Sequence, residues 1–184
     1  MASLNGIVAD PVGKDLWSAR SSGHWYDRAT HHHMNAIDGD FDTYFGTHSV
    51  EYNWLEVDFG EHVEGIFAVE VWKRKTLEFR HEFTEVRIGG YRTGDDTGHQ
   101  RIHHNEFCAY FGATQPGQVW FVECEETLGG RYMTLQKDVS GYLDFAEVFV
   151  YCLPAGKCHT VCERTLVKKK KGSESTKIVD KFVS

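Results

Sequence analysis

Nowhere in this 184-residue chain does an apolar run approach the roughly 20 residues of a membrane-spanning helix. The opening Met1-Ala2-Ser3-Leu4-Asn5-Gly6 lacks the hydrophobic stretch of a signal peptide. The expectation is therefore a cytosolic protein or a mature secreted segment carrying an added start methionine. Catalytic signatures are missing as well: there is no Gly-x-Ser-x-Gly turn, no Gly-rich phosphate loop, no His-Glu-x-x-His helix and no cysteine in a recognisable catalytic setting. An enzyme is not expected. Residues 1–152 show no sustained helical stripe and no internal repeat. Their charge is short of positive groups, with twelve Lys/Arg against twenty-four acids (−12), which argues against general nucleic-acid binding. Residues 153–184 reverse that balance, with eight Lys/Arg against three acids.

Among the features present, 41% hydrophobic and 14% aromatic content suffices for one core of ordinary size. The periodicity is that of strands. Leu55, Val57 and Phe59 alternate with Trp54, Glu56 and Asp58, and Phe67, Val69 and Val71 alternate with Ile66, Ala68, Glu70 and Trp72. Further short strands are expected at 84–89, 107–111, 118–124, 131–136 and 143–151, separated by turns at Gly60-Glu61, Gly89-Gly90, Thr93–Asp96, Gly129-Gly130 and Ser140-Gly141. Such spacing implies an all-β sandwich or barrel over residues 1–152. From residue 153 the chain reads as a basic, polar, Cys-containing tail with the run Lys168–Lys171.

Five cysteines cannot all pair within one chain. Cys108 and Cys124 flank a loop containing Gly112, Pro116 and Gly117, a spacing that suits a bridge between neighbouring strands worth about 3 kcal/mol. Cys152, Cys158 and Cys162 suit a local bridge plus one thiol, or, less in keeping with zinc spacings, a metal site with His159. Disulfides would favour an oxidising, extracellular setting.

The stretch Asn35-Ala36-Ile37-Asp38-Gly39-Asp40-Phe41-Asp42 sets three carboxylates at alternate positions around a glycine. Hard oxygens in a tight turn suit calcium, although the register excludes an EF-hand, which would need glycine at Thr43 and glutamate at Ser49. The bland alternative is an acidic surface turn. Far downstream, Glu147 shares strand parity with Leu143, Phe145, Phe149 and Tyr151. A carboxylate among such neighbours must meet a cation, an arginine or several donors, or sit at a bulge where parity slips. Calcium shared by Glu147 and the Asn35–Asp40 turn would answer that need.

Asn35–Gly39, Thr47-His48-Ser49, Asn53–Phe59, Val86–Gly89, Gly130–Thr134 and Glu147–Tyr151 follow one another in the order and spacing of the F-type lectins, or fucolectins, and residues 5–152 as a whole resemble that family. The resemblance implies a discoidin-like jelly-roll β-sandwich, an L-fucose site at one end and a structural calcium. It assigns Asn35, Asp38, Asp40, Glu147 and the carbonyl of Ala146 as calcium ligands, and Cys108–Cys124 as a family bridge. Gly46 and Ala146 stand where many fucolectins carry a second bridge, so both of its partners are missing together.

In the family's sugar motif a histidine and two arginines donate to fucose, and an aspartate orients one of them. The same spacing here gives His48, Lys73, Lys75 and Arg80. Lys73 lacks the planar fork of arginine, and Lys75 reverses the aspartate's charge. Fucose binding is expected to be weakened or lost, with Lys73, Arg74, Lys75 and Arg80 forming a positive focus for an anionic ligand or, more blandly, a solvated strand end paired with Glu70, Glu78 and Glu82. His31-His32-His33 reads as a polar loop, and Trp25, Tyr26 and Phe45 as aromatics that pack the core or face a sugar.

The expectation is thus a secreted or cell-surface, calcium-dependent carbohydrate-binding module with His48, Lys73 and Arg80 as ligand contacts and glycans as partners. The rival is a discoidin-like interaction module that binds protein, sulfated glycan or acidic lipid. A third reading is a structural role as a homo-oligomer joined through the tail cysteines.

Overall fold

The structure, a computed structural model, describes residues 2–4, 7–9, 11–23, 25, 29–49, 51–75, 83–93, 104–112, 119–137 and 139–153. The expected tail lies outside the described residues apart from Leu153. Ten strands are described: β1 (Ala2–Leu4), β2 (Ile7–Ala9), β3 (Ser18–Ser21), β4 (Phe45–Gly46), β5 (Asn53–Trp72), β6 (Thr84–Gly89), β7 (Glu106–Phe111), β8 (Val119–Lys137), β9 (Asp144–Phe145) and β10 (Glu147–Cys152). Two short 3₁₀ turns, Ala29–His31 and His33–Ala36, lead into the acidic segment. No helix among the described residues is long and apolar enough to cross a membrane.

The long strands β5 and β8 build both layers of the sandwich. Residues 53–58 of β5 pair with 132–137 of β8, flanked by β3 on one side and by β6 and then β7 on the other. Beyond a zone of register shifts, residues 68–72 of β5 pair with 119–123 of β8, and β10 lies on the other side of β5. The sequence reading placed turns at Gly60-Glu61 and Gly129-Gly130. The chain instead bends there without leaving the ladder, because Gly60 (φ 82°) and Gly65 (φ 74°) adopt left-handed backbone that accommodates bulges. A side chain at Gly60 would also meet Leu16, whose Cβ lies 2.8 Å from the position a Cβ would take.

Between the layers, Leu55, Val57, Val86, Ile88, Met133 and Leu135 face Val69, Val71, Val148 and Val150 in one core. Burial of these aliphatic side chains is the main source of stability, at about 1.5–3 kcal/mol each. Parity fails at Phe67. Tyr151 pairs with Ala68 and Cys152 with Ile66, so Phe67 is the extra residue of a bulge and joins Ala68 and Tyr151 in a second, smaller cluster. It fails again at Ala146, which separates β9 from β10. Phe145 faces the main core, as do Val148 and Val150, and Glu147 therefore points the opposite way, beside Phe149 and Tyr151.

The expected bridge forms between Cys108 of β7 and Cys124 of β8. These strands are not hydrogen-bonded to each other, since β6 lies between them. The bridge instead ties the edge of one layer to the half of β8 that belongs to the other. Cys158 and Cys162 lie outside the described residues.

Candidate functional site

The segment Leu143–Glu147 is the hub to which both candidate sites attach. Phe45 stands opposite Phe145 and Gly46 opposite Asp144. Next along the chain, the Thr47 N–H donates to the Leu143 carbonyl (3.0 Å), and its hydroxyl accepts from the Leu143 N–H (2.9 Å). At the other end of the hub, the Ala146 N–H donates to the Trp72 carbonyl (2.7 Å) and Glu147 stands opposite Trp72. His48 and Lys73, 25 positions apart, therefore leave the sandwich on either side of one five-residue segment.

His48 is exposed, on a loop braced by the buried Asn53, whose amide donates to the carbonyls of His48 (2.7 Å) and Gly141 (2.6 Å). Lys73 is 5% exposed, so it does not present an open ammonium on the surface as the sequence reading assumed. Its neighbour Arg74 lies with its guanidinium carbon 3.9 Å from the centre of the Tyr44 ring, a cation–π contact. Arg74 Nη1 is buried without a hydrogen-bond acceptor among the described residues. Lys75 is exposed and pairs with Asp42, and this ammonium holds the Asp42 carboxyl below its usual range. Arg80 lies outside the described residues.

His31 is the residue that sequence reasoning underrated. Rather than standing in a polar loop, it is buried, with Nε2 2.6 Å from the Tyr44 hydroxyl and Nδ1 3.0 Å from the Thr30 hydroxyl. Its ring meets Tyr44 and Trp25 edge-on, and Trp25 in turn packs on Tyr142. The run of three histidines gave no hint that one member differs, although the neighbouring Gly46 did. A Cβ at Gly46 would lie 2.7 Å from Asp144 and 3.5 Å from His31, so glycine is what lets the three approach. Phe45 is fully buried and stacks on Phe145, which gives it a core role. Tyr26 lies outside the described residues.

The second site forms around Glu147, whose side chain is fully buried. One carboxylate oxygen pairs with the Lys14 ammonium and the other accepts the Gly39 N–H at 2.7 Å. Burial pushes the Glu147 carboxyl up, partly offset by the bond to Lys14, and burial pushes the Lys14 ammonium down, partly offset by Glu147. The structure thus brings Glu147 to the Asp38–Asp40 turn, as expected, but it also brings a lysine that the sequence reading did not consider. The remaining expected ligands are turned to other work. Asp38 accepts from the Asp40 N–H (2.8 Å) and the Thr43 hydroxyl (2.8 Å), and Asp40 accepts from the Asp42 N–H (2.9 Å). The Asn35 amide nitrogen donates to the carbonyls of Ala29 (3.3 Å) and Tyr44 (3.1 Å).

Calcium requires six to eight oxygens converging on one point. Among the described residues no group of three or more His, Cys, Asp or Glu side chains is placed to hold a metal ion, and the carboxylates of Glu147, Asp38 and Asp40 are engaged by Lys14, Thr43 and backbone N–H groups in this arrangement.

No protein-family profile matches the chain, and no curated protein sequence matches it significantly. Solved structures do. A fucolectin from the serum of striped bass (Morone saxatilis) superposes with a TM-score of 0.64 at 25% identity, over 78% of this chain and 48% of the fucolectin. This chain therefore spans about half the length of that relative. The family 32 carbohydrate-binding module of Clostridium perfringens NanJ, solved with galactose, gives 0.61 at 14% identity over 78% of this chain and 99% of the module. A fucose-binding module from Streptococcus pneumoniae gives 0.57 at 16% identity over 74% and 94%. The structural comparison thus supports the resemblance to the F-type lectins, and the chain is a discoidin-like β-sandwich of the kind shared by F-type lectins and family 32 carbohydrate-binding modules.

Proposed function

We propose that this chain is a non-catalytic glycan-binding module that works outside the cell. The observation that supports the reading is the attachment of the chain segments carrying the exposed His48 and carrying Lys73 and Arg74 to one Leu143–Glu147 segment, in a fold whose similar structures include the fucolectin and the fucose-binding module. Imidazole and guanidinium groups are suited to the hydroxyl and ring oxygens of a saccharide. The Cys108–Cys124 bridge suits an oxidising compartment.

A glycan array carrying fucosylated, sulfated and sialylated structures tests the reading. Glycan hits that a free monosaccharide competes, and that His48→Ala abolishes, are the expected result, and fucosylated ones among them would mean that fucose recognition survives the loss of the family's arginine at Lys73. Hits confined to sulfated or sialylated glycans would keep the module but assign its specificity to the basic Lys73-Arg74-Lys75 stretch, of which Lys75 is exposed. A folded protein that leaves the whole array blank would overturn the proposal in favour of a protein-binding or lipid-binding module.

A further inference from the structure

We propose that the ammonium of Lys14 is the resident structural cation of this domain, occupying the role for which the sequence led us to expect calcium. The Glu147 carboxylate cannot be left bare in its setting: its side chain is fully buried on the face of β10 that also carries Phe149 and Tyr151. One oxygen is met by the Gly39 N–H, and the other faces Lys14 Nζ. That nitrogen also lies 3.9 Å from the centre of the Phe149 ring and 5.6 Å from that of Trp17, while Asp38 adds a favourable charge. The ammonium is therefore enclosed by carboxylates on one side and by aromatic faces on the other, with 18% of its side chain exposed.

The backbone around Lys14 is fixed independently of its side chain. Pro11 forms an isolated bridge with Tyr151, the Val12 N–H donates to the Val150 carbonyl (2.8 Å), and the Trp17 N–H donates to the Lys14 carbonyl (2.9 Å). The side chain thus starts from a rigid segment laid along β10. It closes a link between the N-terminal segment, the acidic turn and the end of the sandwich, at the place where the sequence reading expected calcium shared by Glu147 and the Asn35–Asp40 turn. A carboxylate already satisfied by a covalently attached cation offers calcium little, because the ion would first have to displace the ammonium into an apolar surround. The fold is therefore calcium-independent by construction of its own sequence, and Asp38 and Asp40 serve as turn-forming acceptors instead of metal ligands.

Thermal unfolding of the whole chain, followed with added calcium and again with chelator, tests this directly. The unfolding midpoint of the wild-type protein is expected to be the same in both conditions, and calorimetric titration with calcium is expected to show no saturable heat. Lys14→Met, which keeps the stem and removes the charge, is expected to lower the midpoint by roughly 10 °C. A wild-type midpoint that rises with calcium and falls with chelator would overturn the proposal, as would a Lys14→Met protein as stable as wild type. Should Lys14→Met fail to fold, the wild-type titration still decides. Because these readouts are unfolding and calcium heat, they stand or fall separately from glycan binding.

Discussion

Two buried glutamates on opposite faces of the sandwich meet the same difficulty with different chemistry. Glu147 points outward from β10, and Glu56 points outward from the other layer, between the inward-facing Leu55 and Val57. Each is covered by a loop that supplies one backbone N–H, from Gly39 and Thr93 respectively. Each also receives a cation from the N-terminal part of the chain. Glu56 receives Arg20, whose Nε and Nη2 lie 3.1 and 2.8 Å from Oε1 while Nη2 also donates to the Thr93 carbonyl (2.7 Å). Arg92 stands 3.8 Å from the same oxygen as a reserve. Glu147 receives only the point charge of Lys14 from a basic side chain among the described ion pairs. This fold can satisfy a buried carboxylate with its own side chains, and the arginine pocket is the more redundant of the two.

The largest expected effect follows from that redundancy. Lys14→Ala should cost about 3–5 kcal/mol in a denaturant titration, the usual result of stranding one member of a buried pair. Arg20→Ala should cost less, about 1–3 kcal/mol, because the Thr93 N–H and Arg92 remain with Glu56. An Arg20→Ala loss equal to or greater than that of Lys14→Ala would break the comparison. Second in size, replacing Cys108 and Cys124 together by serine removes a 16-residue covalent loop and should cost about 3 kcal/mol. Since that bridge touches neither carboxylate, the ranking of Lys14→Ala over Arg20→Ala should survive in the bridge-free background, which double-mutant measurements would check.

The smallest effect concerns a third acid, Asp58, near Glu56 but at the surface. Partial burial pushes its carboxyl up, yet the two-pronged bond from Arg131 (2.7 and 3.0 Å), the Gly60 N–H (2.9 Å) and the charges of Arg131 and Arg92 outweigh this and leave it lowered. A carboxyl lowered by folding adds stability above its unfolded value, near pH 3.9, and loses it as pH falls through the folded value. With Arg131 well exposed, the contribution should stay under about 1 kcal/mol. Asp58→Asn should therefore unfold slightly more easily than wild type at pH 7 and match it at pH 2. A gap that persists at pH 2 would assign the effect to packing instead of charge.

Much of this arrangement was legible in the residues. Alternation correctly placed Leu55, Val57 and Phe59 in the core and located β6 and β7 to within a residue. It failed at Phe67, where a bulge reverses the face, and across Ala146, which interrupts the strand, because a period of two cannot register a single inserted residue. Glycines at 60 and 129–130 were read as chain reversals, since a turn and a bent ladder ask for the same backbone freedom. At the candidate site, His48 and Lys73 were named from spacing, but spacing carries no information on exposure, and Lys73 proved buried. His31 was missed because its burial depends on Tyr44, Trp25 and the closeness allowed by Gly46.

The sequence by itself determined that this is an all-β chain and that Glu147 must meet a partner, because strand periodicity and the cost of burying a charge are local properties of residue order. Which partner Glu147 meets was decided only by the tertiary structure. Lys14 lies 133 residues away, and nothing in local pattern distinguishes it from any other lysine until the N-terminal segment is laid along β10 and its ammonium is enclosed between a carboxylate and an aromatic ring.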